Sequence, residues 1–491
     1  MKQLLNAVIS EDSIKPERRI YYMISAWFVA SRIVVYSLGI RFDDSGLGRL
    51  WQVADLTLLK ERLWETVFYM HGQPPLYNLY IGACLKFLES CSHYIFWFTH
   101  LATGLLSCLM MVFLLRKLCV APLLALIATG IYIIMPPVIL YENWMFYTYP
   151  LSFFILLSTM LFYKFVETGE GNKGKLFFLS LAVIALTRSM FHLAWIIFII
   201  AGITFLKPEL RKRVLIGSVI PFILVLFWYT KNEAEFNYFG ASSWFGFSLA
   251  KMTTNRLPGS LKDELIDEGK LSPLAGHISF SEAVIYRRYL SVPGTGIPVL
   301  DRDYKSSGYP NYNALLYKYA AEKYKEDAIY VLKNYPQVYL GSVGVAFFKY
   351  FMPASEYSFL ERNRDHIPLY GGLYRNIICG NYLSLLVDDK NPDGFKEKVF
   401  DKVHFNLIAW KIFFFIYALI LLSRLIKKEG LSNRVLTTAF ILFNVAYVAV
   451  VGNFSDMPEN NRFRFLTSPI FLVITGVGIN EILRGWAKRE R

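Results

Sequence analysis

The polar residues that could carry chemistry stand at the ends of long apolar segments. Asp43 and Asp44 directly follow the first apolar run, and Glu142 lies in a short polar stretch between two later runs. A carboxylate in such a place can act as a general base toward a hydroxyl group. Each also has a structural interpretation. Asp44-Ser45-Gly46 is a turn and helix-capping signal, and the position of the acidic pair taken alone favours this structural role. Glu142 could be a solvated loop acid.

A guanidinium group inside an apolar stretch is the second unusual feature. Arg188 lies near the middle of the run 176–206, one turn before His192. An ionised side chain at membrane depth is costly and by default faces a cavity or a partner. The fork of a guanidinium matches the oxygens of a phosphate, so Arg188 is a candidate phosphate ligand. It could instead form a buried ion pair with Glu142 or reach water from a helix end.

Three further cations stand next to apolar runs. Arg462 and Arg464 lie between the last two runs, where they could bind an anionic headgroup or pair with Asp456 and Glu459. Lys231 follows an earlier run and begins a polar and aromatic segment. That segment could contact a sugar or form a tight turn at the membrane interface.

A cluster of hydrogen-bonding side chains precedes one apolar helix. His71 and Gln73 stand just before Pro74-Pro75, and proline suits the first positions of a helix. A plain helix start would not need these polar neighbours, so a binding role and a structural role are both open. No metal-binding spacing of His or Cys occurs in the chain. No cofactor is certain, although the acidic pair at 43–44 could hold a divalent cation.

Composition places the whole chain in a membrane. Of its 491 residues, 55% are apolar, 17% aromatic and only 18% charged. A soluble protein carries charge on about a quarter of its residues, so these values indicate a polytopic membrane protein and exclude a disordered chain or a coiled coil. Five cysteines exclude a disulfide scaffold. The net charge of +14 then indicates basic cytoplasmic loops or an anionic substrate rather than nucleic acid.

The apolar runs predict an all-α protein with about ten membrane-spanning helices. The run 176–206 is too long for one span and short for two, so we interpret it as two short helices broken near Arg188. With ten spans every basic cluster falls on one side, which the positive-inside rule makes the cytoplasm, together with both termini. The other eight predicted spans are 20–40, 93–115, 119–138, 149–166, 213–230, 406–424, 435–452 and 465–483.

Three parts follow from this topology. The predicted parts are an N-terminal transmembrane module (1–230), an extracytoplasmic segment (231–405) and C-terminal transmembrane helices (406–491). Within the first outer loop, 41–92, apolar residues at helical spacing predict interfacial helices over 47–70 and after Pro75. The extracytoplasmic segment predicts a small, mainly helical domain with an amphipathic stretch near 313–339 and a possible embedded helix at 338–352.

The order of these motifs resembles the GT-C superfamily of integral-membrane glycosyltransferases, such as protein O-mannosyltransferases and lipid A aminoarabinose transferases. The resemblance covers about the first 230 residues. The shared features are an acid after the first span (Asp43-Asp44), an outer loop closing with Pro-Pro-Leu (74–76), a second acid in the next outer loop (Glu142) and a short fifth span ending in Leu-Thr-Arg (186–188). The continuation Asp-Asp-Ser-Gly, and His71-Gly72-Gln73 before the prolines, depart from those families.

The resemblance implies an inverting transfer of a sugar from a polyprenyl phosphate to a hydroxyl of a glycan, lipid or protein. The reaction would take place on the extracytoplasmic face, in cell-envelope glycan biosynthesis if the short loops indicate a bacterial inner membrane, with the endoplasmic reticulum as the alternative. Asp43 or Asp44 would deprotonate the hydroxyl, and Arg188, with Arg462 or Arg464, would neutralise the departing phosphate. The alternatives are an enzyme of the O-antigen ligase or polymerase type, and a lipid or glycan transporter without chemistry.

Overall fold

Helices form nearly all the regular structure of this protein. The computed structural model describes residues 16–382 and 403–489, and within these ranges there is no β-strand, although two isolated β-bridges occur. The helices up to the middle of the chain are α1 Pro16–Ser37, α2 Leu56–Glu61, α3 Leu63–Tyr69, α4 Leu76–Phe87, α5 Ser92–Lys117, α6 Pro122–Ile134, α7 Pro136–Glu142, α8 Thr148–Thr168, α9 Gly171–Thr187, α10 Leu193–Leu206 and α11 Arg211–Phe236. The later helices are α12 Phe245–Met252, α13 Gly259–Asp267, α14 Ala283–Tyr286, α15 Pro298–Asp301, α16 Leu315–Asn334, α17 Pro336–Tyr350, α18 Glu361–Arg364, α19 Pro368–Leu373, α20 Phe405–Glu429, α21 Asn433–Ser455, α22 Asn460–Leu466 and α23 Ser468–Arg489.

Long apolar helices confirm a helical polytopic membrane protein. In the described ranges, seven helices are long and apolar enough to cross a bilayer: α1, α5, α8, α11, α20, α21 and α23. The pair α6–α7 adds an eighth if it counts as one span, because its two halves are bent by 57° across a short break. Pro136 begins the second half, and a proline at a helix start cannot continue the preceding helix.

The run 176–206 is broken where the sequence predicts. Helix α9 ends at Thr187, Arg188 has extended backbone angles, and α10 begins at Leu193. The two helices have 17 and 14 residues, fewer than the roughly 20 that one bilayer crossing takes. Helix α9 packs along α8 and α11, so the broken segment belongs to the helical bundle.

The segment 41–92 forms short helices in place of the longer helix predicted over 47–70. A single 3₁₀ turn at Leu47–Arg49 is followed by α2 and α3. Asp55 interrupts the pattern, because its Oδ1 accepts a hydrogen bond at 2.9 Å from the backbone N–H of Thr57 and so caps α2. Helix α4 begins directly after Pro75, as the two prolines predict.

Between α11 and α20 the described chain is mainly helical. Helix α16 occupies most of the amphipathic stretch predicted at 313–339, and α17 occupies most of the run 338–352. Helix α12 packs against α16 around a core of buried aromatic residues that includes Phe247, Tyr317 and Tyr324. Residues 383–402 of the predicted extracytoplasmic segment lie outside the described ranges.

Basic residues mark one end of the bundle and a cavity lies at the other. Arg116 and Lys117 end α5, and the Lys117 ammonium lies 3.1 Å from a Glu167 carboxylate oxygen near the end of α8. The opposite ends of α8, α9, α11 and α21 all contribute side chains to one cavity.

Candidate functional site

The cavity collects several of the residues that the sequence singles out. Its volume is about 330 Å³, and its wall mixes polar and aromatic side chains. Four predicted site residues line it: Gln73, Arg188, His192 and Arg462. The main further lining residues are Trp51, Gln52, Tyr147, Tyr229, Phe239, Ser242, Trp244, Ser248, Lys251, Phe280, Asp456, Glu459 and Phe463.

Of the three cations that line the cavity, Arg188 is the one that forms no ion pair with a carboxylate of the described ranges. Only 8% of it is exposed, and its guanidinium donates to the Tyr147 hydroxyl and lies 4.6 Å from the centre of the Phe463 ring. Its Nε is buried without a hydrogen-bond partner, and no carboxylate of the described ranges forms an ion pair with it. Because a buried charge normally needs a counter-charge, this group is suited to bind an anion that enters the cavity.

Arg462 does have a carboxylate partner. Its guanidinium forms an ion pair with Glu459, three residues earlier, which is the pairing that the sequence offers as the alternative to anion binding. The Tyr357 hydroxyl donates to the other Glu459 oxygen at 2.8 Å. Burial alone would raise the pKa of Glu459, but the adjacent Arg462 and Lys251 outweigh it and hold that pKa below its usual value. Glu459 is therefore ionised, with both oxygens engaged.

A second ion pair lines the cavity and was not predicted from the sequence. The Lys251 ammonium, on α12, lies 3.1 Å from Oδ1 of Asp456, just after α21. The backbone N–H of Met457 donates to that same oxygen at 2.9 Å. Oδ2 of Asp456 receives no hydrogen bond within the described chain, so one carboxylate oxygen is free to accept a proton.

The cavity as a whole carries one positive charge in excess. Its charged lining consists of three cations, Arg188, Lys251 and Arg462, and two carboxylates, Asp456 and Glu459. The surplus belongs to Arg188, since the other two cations have partners. A monoanionic group would neutralise the cavity, because electrostatic attraction between full charges is strong where water is scarce.

His71 and Lys231 lie behind the cavity wall and not on it. Nδ1 of His71 lies 2.7 Å from Oγ of Ser243, whose neighbours in sequence do line the cavity. Burial first, and then the nearby Lys231 charge, lower the pKa of His71 to about 3. Lys231 donates to the Met70 carbonyl at 2.7 Å and to the Asn232 side chain at 2.6 Å. Both residues support the wall from behind.

Glu142 is engaged in an ion pair inside the bundle. Its two oxygens accept hydrogen bonds from Arg32 Nε and Nη2, each at 2.7 Å, and the Tyr149 hydroxyl donates to it at 2.9 Å. The partner is thus Arg32 and not Arg188, so that predicted alternative is wrong. A Cβ on Gly104 would lie 2.3 Å from a Glu142 oxygen, which explains why glycine stands there.

The acidic pair after α1, Asp43 and Asp44, does not line the cavity, although the backbone of Asp43 pairs with a segment that leads to it. The backbone of Asp43 pairs with that of Asn143 and Met145, at 2.9 Å in both directions, next to the chain that leads to Tyr147. Its carboxylate accepts from Ser45 at 2.6 Å and lies 3.1 Å from Arg362.

Asp44 lies 3.0 Å from a His93 ring nitrogen. The described ranges hold no group of three or more His, Cys, Asp or Glu side chains that could bind a metal.

Arg464 points away from the cavity. Its Nε donates to the carbonyl of Tyr350 and its Nη2 to that of Met352, both at 2.7 Å. These bonds fix the end of α17 to α22. Of the two predicted arginines in this loop, Arg462 faces the cavity and Arg464 holds the fold together.

Sequence reasoning missed Trp51, Tyr147 and Lys251, and it named Asp456 only as a possible partner of Arg462 or Arg464. Asp456 directly follows an apolar run, the same signal that drew attention to Asp43 at the sequence level. Nothing local to Lys251 indicates its partner, which is 205 residues away. Comparison with protein-family models and with curated proteins finds no match for this chain.

Proposed function

We propose that this protein is a membrane glycosyltransferase that moves a sugar from a polyprenyl-phosphate donor to an acceptor hydroxyl on the extracytoplasmic side. The observation that carries the proposal is the buried, unpaired guanidinium of Arg188 facing a polar cavity. Guanidinium and phosphate form charge-assisted hydrogen bonds in matching geometry, so a phosphodiester supplies the missing counter-charge.

Access from the membrane supports a lipid-linked donor. The cavity is lined on one side by Tyr229 near the end of α11 and by Phe239, whose ring is 56% exposed. Phe239 is thus a lining residue that is also open to the surroundings of the bundle. A prenyl chain lying beside Phe239 would bring its phosphate toward Arg188 from the membrane.

The proposed topology has ten spans with both termini in the cytoplasm. It counts α9, α10 and the bent pair α6–α7 as crossings. In support, the break at Arg188 lies at the same cavity as Tyr147, which precedes α8, and Ser455, which ends α21. Helices α9 and α11 also approach closely, since a Cβ on Gly217 would lie 3.4 Å from the Gly174 backbone.

The reaction assigns a role to each group in the cavity. The acceptor oxygen attacks the anomeric carbon of the donor, and the bond from that carbon to the phosphate oxygen breaks with its electrons on the phosphate. Arg188, together with Arg462, stabilises the charge that develops there. An aspartate takes the acceptor proton, and the resemblance implies Asp43 or Asp44 for that role.

Release of the lipid phosphate tests the proposal. The full-length protein in nanodiscs would be incubated with a panel of farnesyl phosphate monosaccharides and with methyl pyranosides as hydroxyl acceptors, and free farnesyl phosphate would be measured by mass spectrometry. We expect release from at least one donor, and none from the Arg188→Met variant. Binding and transbilayer movement of these lipids without release would favour the transporter alternative.

A further inference from the structure

The outer end of the cavity differs in chemistry from the Arg188 end. Trp51 lines it with 40% of its surface exposed and stacks on Phe280, with ring centres 4.8 Å apart and planes inclined by 25°. The Lys251 ammonium lies 4.9 Å from the Phe280 ring and 5.7 Å from the Trp51 ring. Side chains from two other parts of the chain, Phe280 and Lys251, thus hold the flat, half-exposed indole of Trp51 in place.

Polar groups without hydrogen-bond partners in the described chain line the same cavity as this indole. Gln73 is only 9% exposed, yet its side-chain amide makes no hydrogen bond within the described chain while it lines the cavity. The Gln52 amide lines the same end and likewise has no partner there. The Lys251 ammonium, 5.7 Å from the indole ring centre, holds Oδ1 of Asp456 and leaves Oδ2 open. The two amides and this oxygen can therefore form hydrogen bonds with a ligand that enters the cavity.

This combination is suited to a pyranose ring. A sugar presents an apolar face of C–H groups that packs on an aromatic ring, and its equatorial hydroxyl groups bond to amides and carboxylates at the rim. A peptide acceptor would need pairing for its backbone N–H and C=O groups. The outer end offers side-chain groups around a flat apolar surface instead.

We propose that the outer end of the cavity, formed by Trp51, Gln52, Gln73 and Asp456, binds a carbohydrate acceptor, and that Asp456 is the general base for its hydroxyl. This inference rests on the proposed transfer reaction. The acceptor O–H proton moves to Oδ2 of Asp456, the oxygen bonds to the donor's anomeric carbon, and the lipid phosphate leaves with the electron pair of the broken bond. Lys251 is a positioning residue, because it holds Oδ1 of Asp456 and leaves Oδ2 open.

Of the two carboxylates that line the cavity, Asp456 is the one with an oxygen that accepts no hydrogen bond within the described chain. Glu459 lines the cavity, but its oxygens bond to Arg462 and Tyr357. Asp43 and Asp44 are outside the lining. Asp456 therefore takes the role that the resemblance gives to the earlier pair.

Binding of saccharides tests the acceptor site separately from the donor site. The full-length protein in nanodiscs would be titrated with a panel of methyl pyranosides by saturation-transfer NMR, and with farnesyl phosphate by calorimetry. Trp51→Ala is compared with Trp64→Ala, because Trp64 is 66% exposed on α3 and does not line the cavity. We expect Trp51→Ala to weaken pyranoside binding at least tenfold, Trp51→Phe to restore part of it, and farnesyl phosphate binding to stay unchanged.

Two results would overturn the acceptor assignment while leaving the donor proposal intact. One is the absence of any pyranoside signal from a protein that binds farnesyl phosphate, and the other is equal pyranoside binding by the Trp51 and Trp64 variants. Pyranoside binding that depends on Trp51 without farnesyl phosphate binding would support the carbohydrate site and count against the proposed transfer reaction.

The base is tested by Asp456→Asn in the farnesyl phosphate release assay with acceptor present. Loss of a general base lowers the rate by about 100-fold or more, whereas farnesyl phosphate binding should be retained. Asp43→Asn and Asp44→Asn are the comparison variants. Full activity of Asp456→Asn, with activity lost in either comparison variant, would return the role to the pair after α1.

Discussion

Two buried guanidinium groups give the sharpest prediction, because one has a carboxylate partner and the other has none in the described ranges. Arg32 is 4% exposed and forms two hydrogen bonds of 2.7 Å to Glu142. Arg188 is 8% exposed and has no carboxylate partner in the described ranges. If Arg32 serves the fold and Arg188 serves a ligand, then replacing each by methionine should damage different properties of the protein.

The expected magnitudes follow from these partners. Arg32→Met leaves the Glu142 carboxylate buried without its counter-charge, which costs about 3–5 kcal/mol of unfolding free energy. Arg188→Met loses one hydrogen bond from a charged group to Tyr147, worth about 1.5–3 kcal/mol, but it also relieves the burial of an unpaired charge, which costs a similar amount. Its unfolding free energy should therefore stay within about 1 kcal/mol of the wild-type value.

Ligand binding should show the reverse order. Charge-assisted hydrogen bonds contribute about 1.5–3 kcal/mol, so Arg188→Met should weaken farnesyl phosphate binding by about 10- to 150-fold. The assays are unfolding in mixed detergent micelles and calorimetric titration in nanodiscs, with the double variant of Arg32→Met and Glu142→Gln as the stability control. An Arg188 variant that is strongly destabilised, or that binds farnesyl phosphate normally, would refute the division of roles.

Four other substitutions test the surroundings of the site. Gly104→Ala should destabilise the bundle by about 1–3 kcal/mol, because its Cβ would lie 2.3 Å from a Glu142 oxygen; equal unfolding midpoints would contradict this packing. His71 has a pKa of about 3 in place of 6.5, so the unfolded chain binds the proton first and stability falls as the pH drops from 7 to 5, by about 2 kcal/mol. His71→Gln should remove that part of the pH dependence of unfolding, and an unchanged slope would show that His71 is not its source. Asp43→Asn and Asp44→Asn should each retain most of the farnesyl phosphate release, since neither carboxylate lines the cavity, and loss of release in either variant would place the base there.

Local signals in the sequence predicted most of the long helices and the break at Arg188, but the single span predicted over 119–138 is two helices, α6 and α7, bent by 57°. The length of the run 176–206 and its polar centre predicted the break at Arg188, and Pro74-Pro75 predicted the start of α4. The predicted helix over 47–70 failed at Asp55, whose side chain caps a new helix. Apolar residues at helical spacing do not reveal a competing hydrogen bond between a side chain and the backbone.

The pairing of charged residues could not be predicted, because it depends on which helices become neighbours. Arg32 and Glu142 are 110 residues apart, and Lys251 and Asp456 are 205 residues apart. Apolar spacing shows which face of a helix is buried but not what lies against it. Arg188 was identified from the sequence because a charged residue inside an apolar run is a candidate functional residue whatever helices become its neighbours.

The central claim is that Arg188 binds the phosphate of a lipid-linked sugar. A structure of the full-length protein with a bound farnesyl phosphate monosaccharide tests it most directly. The account predicts phosphate oxygens within about 3 Å of the Arg188 guanidinium nitrogens, with the prenyl chain leaving beside Tyr229 and Phe239. A phosphate bound elsewhere, with Arg188 still unpaired, would contradict it.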